Sequence, residues 1–508
     1  MTTVTETRNP DLQKGNEILS AFFRTEEIKI GGTTEQIVKG GERQRATAIR
    51  ALKEAGIKQI GVIGWGSQAP AQAQNLWGCL KGSGIKVVVG LREGSQSASE
   101  AREAGFTEEN GTLGEMFAVV KKSDLVLLLI NDNAQVMHYR KIFSLMKKGA
   151  FLGFSHGFLI KYLKDEGIRI PKHINIIGCC PKGMGDTVRR LFQQGSGINC
   201  SITVEQNGGA SIEEATDVTL AWGTLIGAPF MFQTTLEKEC ISDLTGERSG
   251  LLAAPFGLVE ALYQYFIRHK MGQQESFIDS VDQVARVIRQ YCSRFGVKAL
   301  FEYIQEDFLT GGEQFRRIYN FVYPGAKALI AEIYDEVASG NEIRSVIMAN
   351  QRLGGKDLPP IAKTNMWRVV GPKARESIAK KEDNSINTIS AGALIAILMA
   401  LTDVLSEHGH VWTEIANESW IELFDSLLSY MEKRGIDAMV DGCSMTARLG
   451  TRKWWASFFA VVDRALELFD KKDEEPEQDF FANFLGHPIH DALRVCYKFR
   501  PPSELILK

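Results

Sequence analysis

The chain is poor in the residues that build disulfide frameworks and soft-metal sites: eight cysteines and eight histidines in 508 residues, both scattered. Only Cys179 and Cys180 are neighbours and no C-x-x-C pair occurs. Reduced thiols packed as small apolar side chains are therefore expected, as in a cytosol-like compartment. His408 and His410 in EHGH have no third ligand beside them and read as structural. Long hydrophobic runs are lacking too. The longest, ISAGALIAILMAL at 389–401, falls short of the roughly 20 residues a membrane span needs and reads as a buried helix. Charge of one sign is also missing: the formal net charge is -3 and the pI about 6.3. That excludes a global nucleic-acid or membrane footprint and leaves small-molecule chemistry as the starting expectation. The opening MTTVTETRNPDLQ has no apolar core of a secretory signal and few arginines. A cytoplasmic location is expected, with a processed plastid or other organelle protein as the alternative.

What is present is a globular composition, 44% hydrophobic and 24% charged, in a chain long enough for two to four domains. From residue 60 to 90 the order is apolar strand, glycine turn, helical stretch and second strand, a βαβ unit. Further strands follow at DLVLLLI, GAFLGFSH and INIIGCCP with helix-length segments between them. This alternation predicts a parallel, doubly wound α/β sheet. After about residue 235 helical spacing takes over. The expected division is 1–235 for a nucleotide-binding domain and 236–381 and 382–508 for two helical halves. A D-x-x-x-x-G echo, DEVASG against DAMVDG, hints at duplication, and the acidic DKKDEEPEQD at 470–479 reads as a solvated loop.

The turn after the first strand reads GVIGWGSQA. Gly64 permits the tight turn, Gly66 lets the backbone approach a pyrophosphate, and Ala69 is small enough for close helix packing. The following helix offers its free N–H groups to phosphate. At the end of the second strand, LREGSQS places Arg92, Ser95 and Ser97 where an NAD site usually has an acid. A guanidinium and two hydroxyls suit a 2'-phosphate, so NADPH is preferred.

Two acidic pairs have i, i+4 spacing: Asp243 and Glu247 in SDLTGE, Glu418 and Glu422 in NESWIE. Like charges so placed repel on a helix face. Most such pairs are solvated, but Trp420 and Ile421 between the second pair suggest burial, and buried carboxylates want a cation. Oxygen donors without a His or Cys cluster favour Mg2+. His156 and Lys182 follow predicted strands, where doubly wound sheets place their ligand crevice.

With GVIGWGSQ, LREGSQS, SHGF, CPKGMG, SDLTGER, NESWIE and CSMTARLG in this order, the chain resembles the ketol-acid reductoisomerases, in particular their long, plant-like class, from about residue 57 onward. The resemblance implies an Mg2+-dependent alkyl migration on an acetohydroxyacid followed by reduction with NADPH. It implies two Mg2+ ions held by Asp243, Glu247, Glu418 and Glu422, with Asp243 as a bridge. It also implies a substrate contact at Ser444, an active-site acid at Glu239, and supporting roles for His156 and Lys182. Ser67, Gln68 and Gln135 join Gly64, Gly66, Arg92, Ser95 and Ser97 as expected cofactor contacts. A duplicated, knotted helical domain and a homodimer are implied as well. Ala69 in place of a third glycine and the stretch LLAAPFG depart from the usual pattern. The alternative reading is a metal-independent NADPH-dependent β-hydroxy-acid dehydrogenase, in which the second acidic pair and Ser444 would be idle.

Overall fold

The computed structural model describes residues 17–307, 310–361, 364–378 and 385–507. The opening stretch 1–13 and the expected boundary between residues 381 and 382 lie outside the described residues. One sheet of ten strands organises the first half: β1 (Thr25–Ile30), β2 (Thr33–Lys39), β3 (Gln59–Ile63), β4 (Lys86–Leu91), β5 (Leu113–Glu115), β6 (Leu125–Leu128), β7 (Phe151–Phe154), β8 (Asn175–Pro181), β9 (Cys200–Gln206) and β10 (Phe230–Gln233). They lie in the order β1-β2-β10-β9-β8-β7-β6-β3-β4-β5. The run from β8 to β5 is parallel. Its order is that of a dinucleotide-binding sheet, with the topological switch between β3 and β6. β6, β7 and β8 are buried throughout, which explains why they read as unbroken apolar runs.

The expected parallel sheet is extended by an antiparallel flank. β9 runs antiparallel to β8, and β2 pairs antiparallel with both β1 and β10. The β1–β2 hairpin turns at Gly31 and Gly32, with φ of 56° and 82°. A two-residue turn with positive φ at both positions is the form glycine pairs favour.

From Leu236 the described chain is helical. Two sets of elements recur in the same order. The first comprises Ala253–Arg268, a helical run containing the π-type segment Ile278–Ile288, Val297–Asp307 and the long helix Gly311–Ala338. The second comprises Thr388–Glu407, a run containing the π-type segments Ala416–Ile421 and Leu423–Leu427, Ile436–Val440 and the long helix Met445–Phe469. Gly296 and Gly435 break the chain at the same place in each, with φ of 93° and 94°. The long helix of each set packs on the first helix of the other, so the halves interlock. The D-x-x-x-x-G echo does not mark this repeat. DEVASG ends a long helix, whereas DAMVDG falls in a short one. The apolar stretch 389–401 is a buried core helix, as its length predicted.

At the switch point Gly64 has φ 112°, and a Cβ there would stand 2.7 Å from the Leu129 carbonyl oxygen. Gly64→Ala should therefore destabilise the chain by about 1–3 kcal/mol, read as a shift in the denaturant midpoint. An unchanged midpoint would show that the turn relaxes freely.

Candidate functional site

The carboxyl ends of the parallel strands and three segments of the helical half close around a cavity of about 300 Å3. One wall is the glycine turn: Gly66, Ser67 and Gln68, followed by the helix Ala69–Leu80. At Gly66 a Cβ would meet nothing within 4 Å, so its backbone faces open space. Ala69 is fully buried at the start of its helix, a position with no room for a larger side chain. Gln68 Nε2 donates to the Gly183 carbonyl at 3.0 Å. Gln135 also lines the cavity, from the helix Asp132–Leu145; its Nε2 donates to Ile130 and its Oε1 has no hydrogen-bond partner. Arg92, Ser95 and Ser97 stand apart, at the tip beyond β4, where Arg92 is exposed and makes no ion pair among the described residues.

The opposite wall is acidic. The helix Leu236–Arg248 presents Glu239, Asp243 and Glu247, and the helical run 412–434 presents Glu422. Glu418, one turn earlier, is fully buried behind them. His156 Nδ1 lies 3.2 Å from Glu239 Oε2 and 3.2 Å from Asp243 Oδ2. Lys182, 2% exposed, places Nζ 3.1 Å from Glu239 Oε1 and in contact with Glu418 Oε1. Ser444 lines the cavity while its Oγ caps the helix Met445–Phe469, accepting from Ala447 N at 3.1 Å.

The charges do not balance. Burial raises the carboxyls of Glu247, Glu418 and Glu422 well above the usual range, and their carboxylate neighbours push the same way. Asp243 is raised by burial too, against the pull of His156. Burial would also raise Glu239, but Lys182, His156 and the Gly157 N–H hold it at about 2. Burial would lower His156 and Lys182, yet the neighbouring carboxylates keep both well above their ordinary values. Lys182 Nζ lies against Glu418 Oε1 and Arg248 Nη1 stands 3.5 Å from Glu247 Oε2, while Glu418 Oε2 accepts no hydrogen bond among the described residues.

Carboxylate oxygens so outnumbering their donors fit the chemistry of a cation site. Ligand atoms of Asp243, Glu418 and Glu422 lie within 4.8 Å of one another, as do those of His156, Glu239 and Asp243. Asp243 belongs to both groups, and an oxygen-dominated set suits a hard divalent ion. His410, by contrast, is spent within the fold, 3.3 Å from Glu414 and 3.1 Å from the Tyr334 hydroxyl.

Sequence reading missed Asp132. It follows β6 at the same strand-end position that singled out His156, lines the cavity, and accepts from Thr446 Oγ1 at 2.5 Å. That bond ties the cofactor-side helix to the helix that Ser444 caps.

Comparisons with known proteins identify the family. Residues 55–230 match the family model described as acetohydroxy acid isomeroreductase, NADPH-binding domain, and residues 236–379 match the ketol-acid reductoisomerase C-terminal domain. The chain is 43% identical over 499 residues to a chloroplastic ketol-acid reductoisomerase of Spinacia oleracea, covering 96% of this chain and 82% of that one. The chain belongs to the ketol-acid reductoisomerase family. A Pisum sativum member is 42% identical over 500 residues, with 96% and 84% covered. A Desulfosudis oleivorans member named for NAD(+) is 34% identical over 350 residues, covering 67% of this chain and 94% of that one. An NADH-preferring archaeal reductoisomerase shares the fold at TM-score 0.52 and 24% identity, over 68% of this chain and 95% of that one. The chain is thus a nicotinamide-dependent oxidoreductase and isomerase of branched-chain amino-acid synthesis, with an α/β domain followed by a helical one.

The site's titration predicts how stability responds to pH. Glu247, Glu418 and Glu422 hold protons in the fold at pH values where the unfolded chain has lost them. Between the ordinary carboxylate value and their raised ones, the metal-free chain should lose stability as pH rises. Glu239 works oppositely: its contribution is present above the ordinary value and is lost as pH falls toward about 2. A divalent ion relieves the first penalty once the ligands are deprotonated. Mg2+ should therefore raise the melting temperature more at about pH 8 than at about pH 5. An equal effect at both pH values would contradict a carboxylate site.

Proposed function

We propose that the chain converts 2-acetolactate or 2-aceto-2-hydroxybutyrate to 2,3-dihydroxyisovalerate or 2,3-dihydroxy-3-methylvalerate, by an Mg2+-dependent alkyl shift followed by reduction with NADPH. The observation that carries this reading is one cavity with a dinucleotide turn on one wall and clustered carboxylates on the other. Asp243, Glu247, Glu418 and Glu422 would hold two Mg2+ ions. When bound, these supply Lewis acidity to the substrate's hydroxyl and carbonyl oxygens, and NADPH supplies a hydride.

The remaining roles belong to the chain. Glu239, kept ionised by Lys182 and His156, fixes both cationic groups at the floor of the site. Lys182 is held charged between Glu239 and Glu418, so it acts as a fixed positive charge near developing negative charge and does not serve as a base. His156, which lines the cavity, holds a proton at Nδ1 between Glu239 and Asp243. Ser444 sits at the head of its helix to orient substrate.

NADPH is favoured over NADH because Arg92 makes no ion pair among the described residues and Ser95 and Ser97 follow it beyond β4. Both acidic pairs reach one cavity from a single chain, so a second copy is not required for chemistry; a homodimer is proposed from kinship. The knotted threading and the three-part division at residues 235 and 381 belong to this proposal as well, supported by the interlocked helices. The plant relatives are chloroplastic by name, which supports the plastid alternative for this chain over the cytoplasm.

The test is NADPH oxidation with 2-acetolactate, with and without Mg2+, in the unaltered chain and in Asp243→Asn. Turnover should require Mg2+ and fall by about 100-fold or more in the variant, because a charge that organises the transition state is lost. Metal-independent reduction of a β-keto acid, with none of acetolactate, would instead establish a β-hydroxy-acid dehydrogenase.

A further inference from the structure

The helical run 412–434 carries Glu414, Glu418 and Glu422 on successive turns, and it has two unusual needs. Its local N-cap is Val411, which has no side-chain acceptor. An apolar cap leaves the first N–H groups unsatisfied. Its middle is π-type, at Ala416–Ile421 and Leu423–Leu427. π-type turns are rare and recur at functional sites.

The missing cap comes from the far end of the sequence. Glu35 of β2, 6% exposed, accepts from Trp412 N at 2.6 Å, Thr413 N at 3.1 Å and Thr413 Oγ1 at 2.7 Å. A carboxylate at this end also complements the helix dipole. The hairpin turn clasps the same place. A Cβ on Gly31 would stand 2.5 Å from the Trp412 ring, and Gly31 N donates to Asp491 at 3.0 Å. One turn on, Glu414 accepts from Ser242 Oγ at 2.8 Å and Thr234 Oγ1 at 3.1 Å, linking the run to the helix that bears Asp243.

We propose that the β1–β2 hairpin is part of the metal site's framework, with Glu35 as a positioning residue that sets the divalent-ion affinity of Glu418 and Glu422. This rests on the divalent-ion reading of the acidic cluster and extends it to residues ahead of those the family models match, which begin at residue 55. Uncapped, the start of the run frays and the repelling carboxylates spread. Capped, they are held together before any ion arrives, and affinity follows from that preorganisation.

The test measures Mn2+ binding to the full-length, metal-free chain by the loss of its free-ion paramagnetic resonance signal, with NADPH affinity measured alongside. Glu35→Ala should weaken Mn2+ binding about 10-fold and leave NADPH binding unchanged. Glu35→Gln, which keeps one acceptor oxygen, should recover part of the loss. Should Glu35→Ala fail to fold, Thr413→Val removes one donor to the same carboxylate and should weaken Mn2+ binding in the same direction. Undiminished Mn2+ affinity in folded variants, or equal losses for Mn2+ and NADPH, would overturn the positioning role and leave the hairpin merely structural. Absence of Mn2+ binding by the unaltered chain would overturn the metal assignment itself, and this proposal with it.

Discussion

Repulsion among carboxylates gathered at one cavity, Glu418 buried and the others partly so, is the constraint on which the rest of the structure depends. Asp243, Glu247, Glu418 and Glu422 come together with Lys182 and His156 as the fixed cationic groups among them, and each of those is shared with Glu239, Lys182 with Glu418 and His156 with Asp243. A fold that gathers like charges in a poorly solvated place must hold them there against their own field. Much of the helical half serves that end. Arg248, fully buried beside Glu247, donates through Nε to Glu342 at 2.6 Å. Its side chain lies where a Cβ on Gly450 would meet it at 2.8 Å. Lys453 and Trp454 bind the same Glu342 from the helix that Ser444 caps. The helix of the first acidic pair is thus locked to the helix that Ser444 caps. At the other end of the run 412–434, Arg500 pairs with Asp425 and Arg289 with Glu432 at 2.6 Å.

The cofactor half meets this acidic half through a few close contacts that leave little freedom. A Cβ on Gly185 would lie 1.7 Å from the Ser67 carbonyl oxygen, so the glycine turn and the CPKGMG segment are in direct backbone contact. Asp132 and Thr446 bridge the two sides across the cavity. The strand ends at the topological switch and the acidic helices therefore line one cavity.

Much of this was legible in the sequence where a motif has a local cause. G-x-G-x-x-A follows a strand because a tight turn and a close approach need small residues, and the structure has that turn at the switch point. The i, i+4 acids sit on single helix faces, as spacing alone required. Partners distant in the chain were not legible. Nothing in SHGF or CPKG says that His156 and Lys182 share Glu239, because that depends on how the helix Leu236–Arg248 lies across two strand ends. The antiparallel flank was missed because CSITVEQ has the same β texture whichever way it runs. The hairpin did have a local signal, Gly31-Gly32 between alternating runs, but Glu35 as a cap for Trp412 and Thr413 is set by tertiary packing alone. The D-x-x-x-x-G echo misled because two short coincidences resembled a repeat whose equivalence lies in element order and in the breaks at Gly296 and Gly435.

The most direct measurement is a crystal structure of the full chain grown with Mn2+ and NADPH, with anomalous scattering used to locate the metal. The account predicts two peaks bounded by Asp243, Glu247, Glu418 and Glu422, with Asp243 between them and the nicotinamide facing the same cavity. Cofactor bound with no anomalous peak among these carboxylates would contradict it.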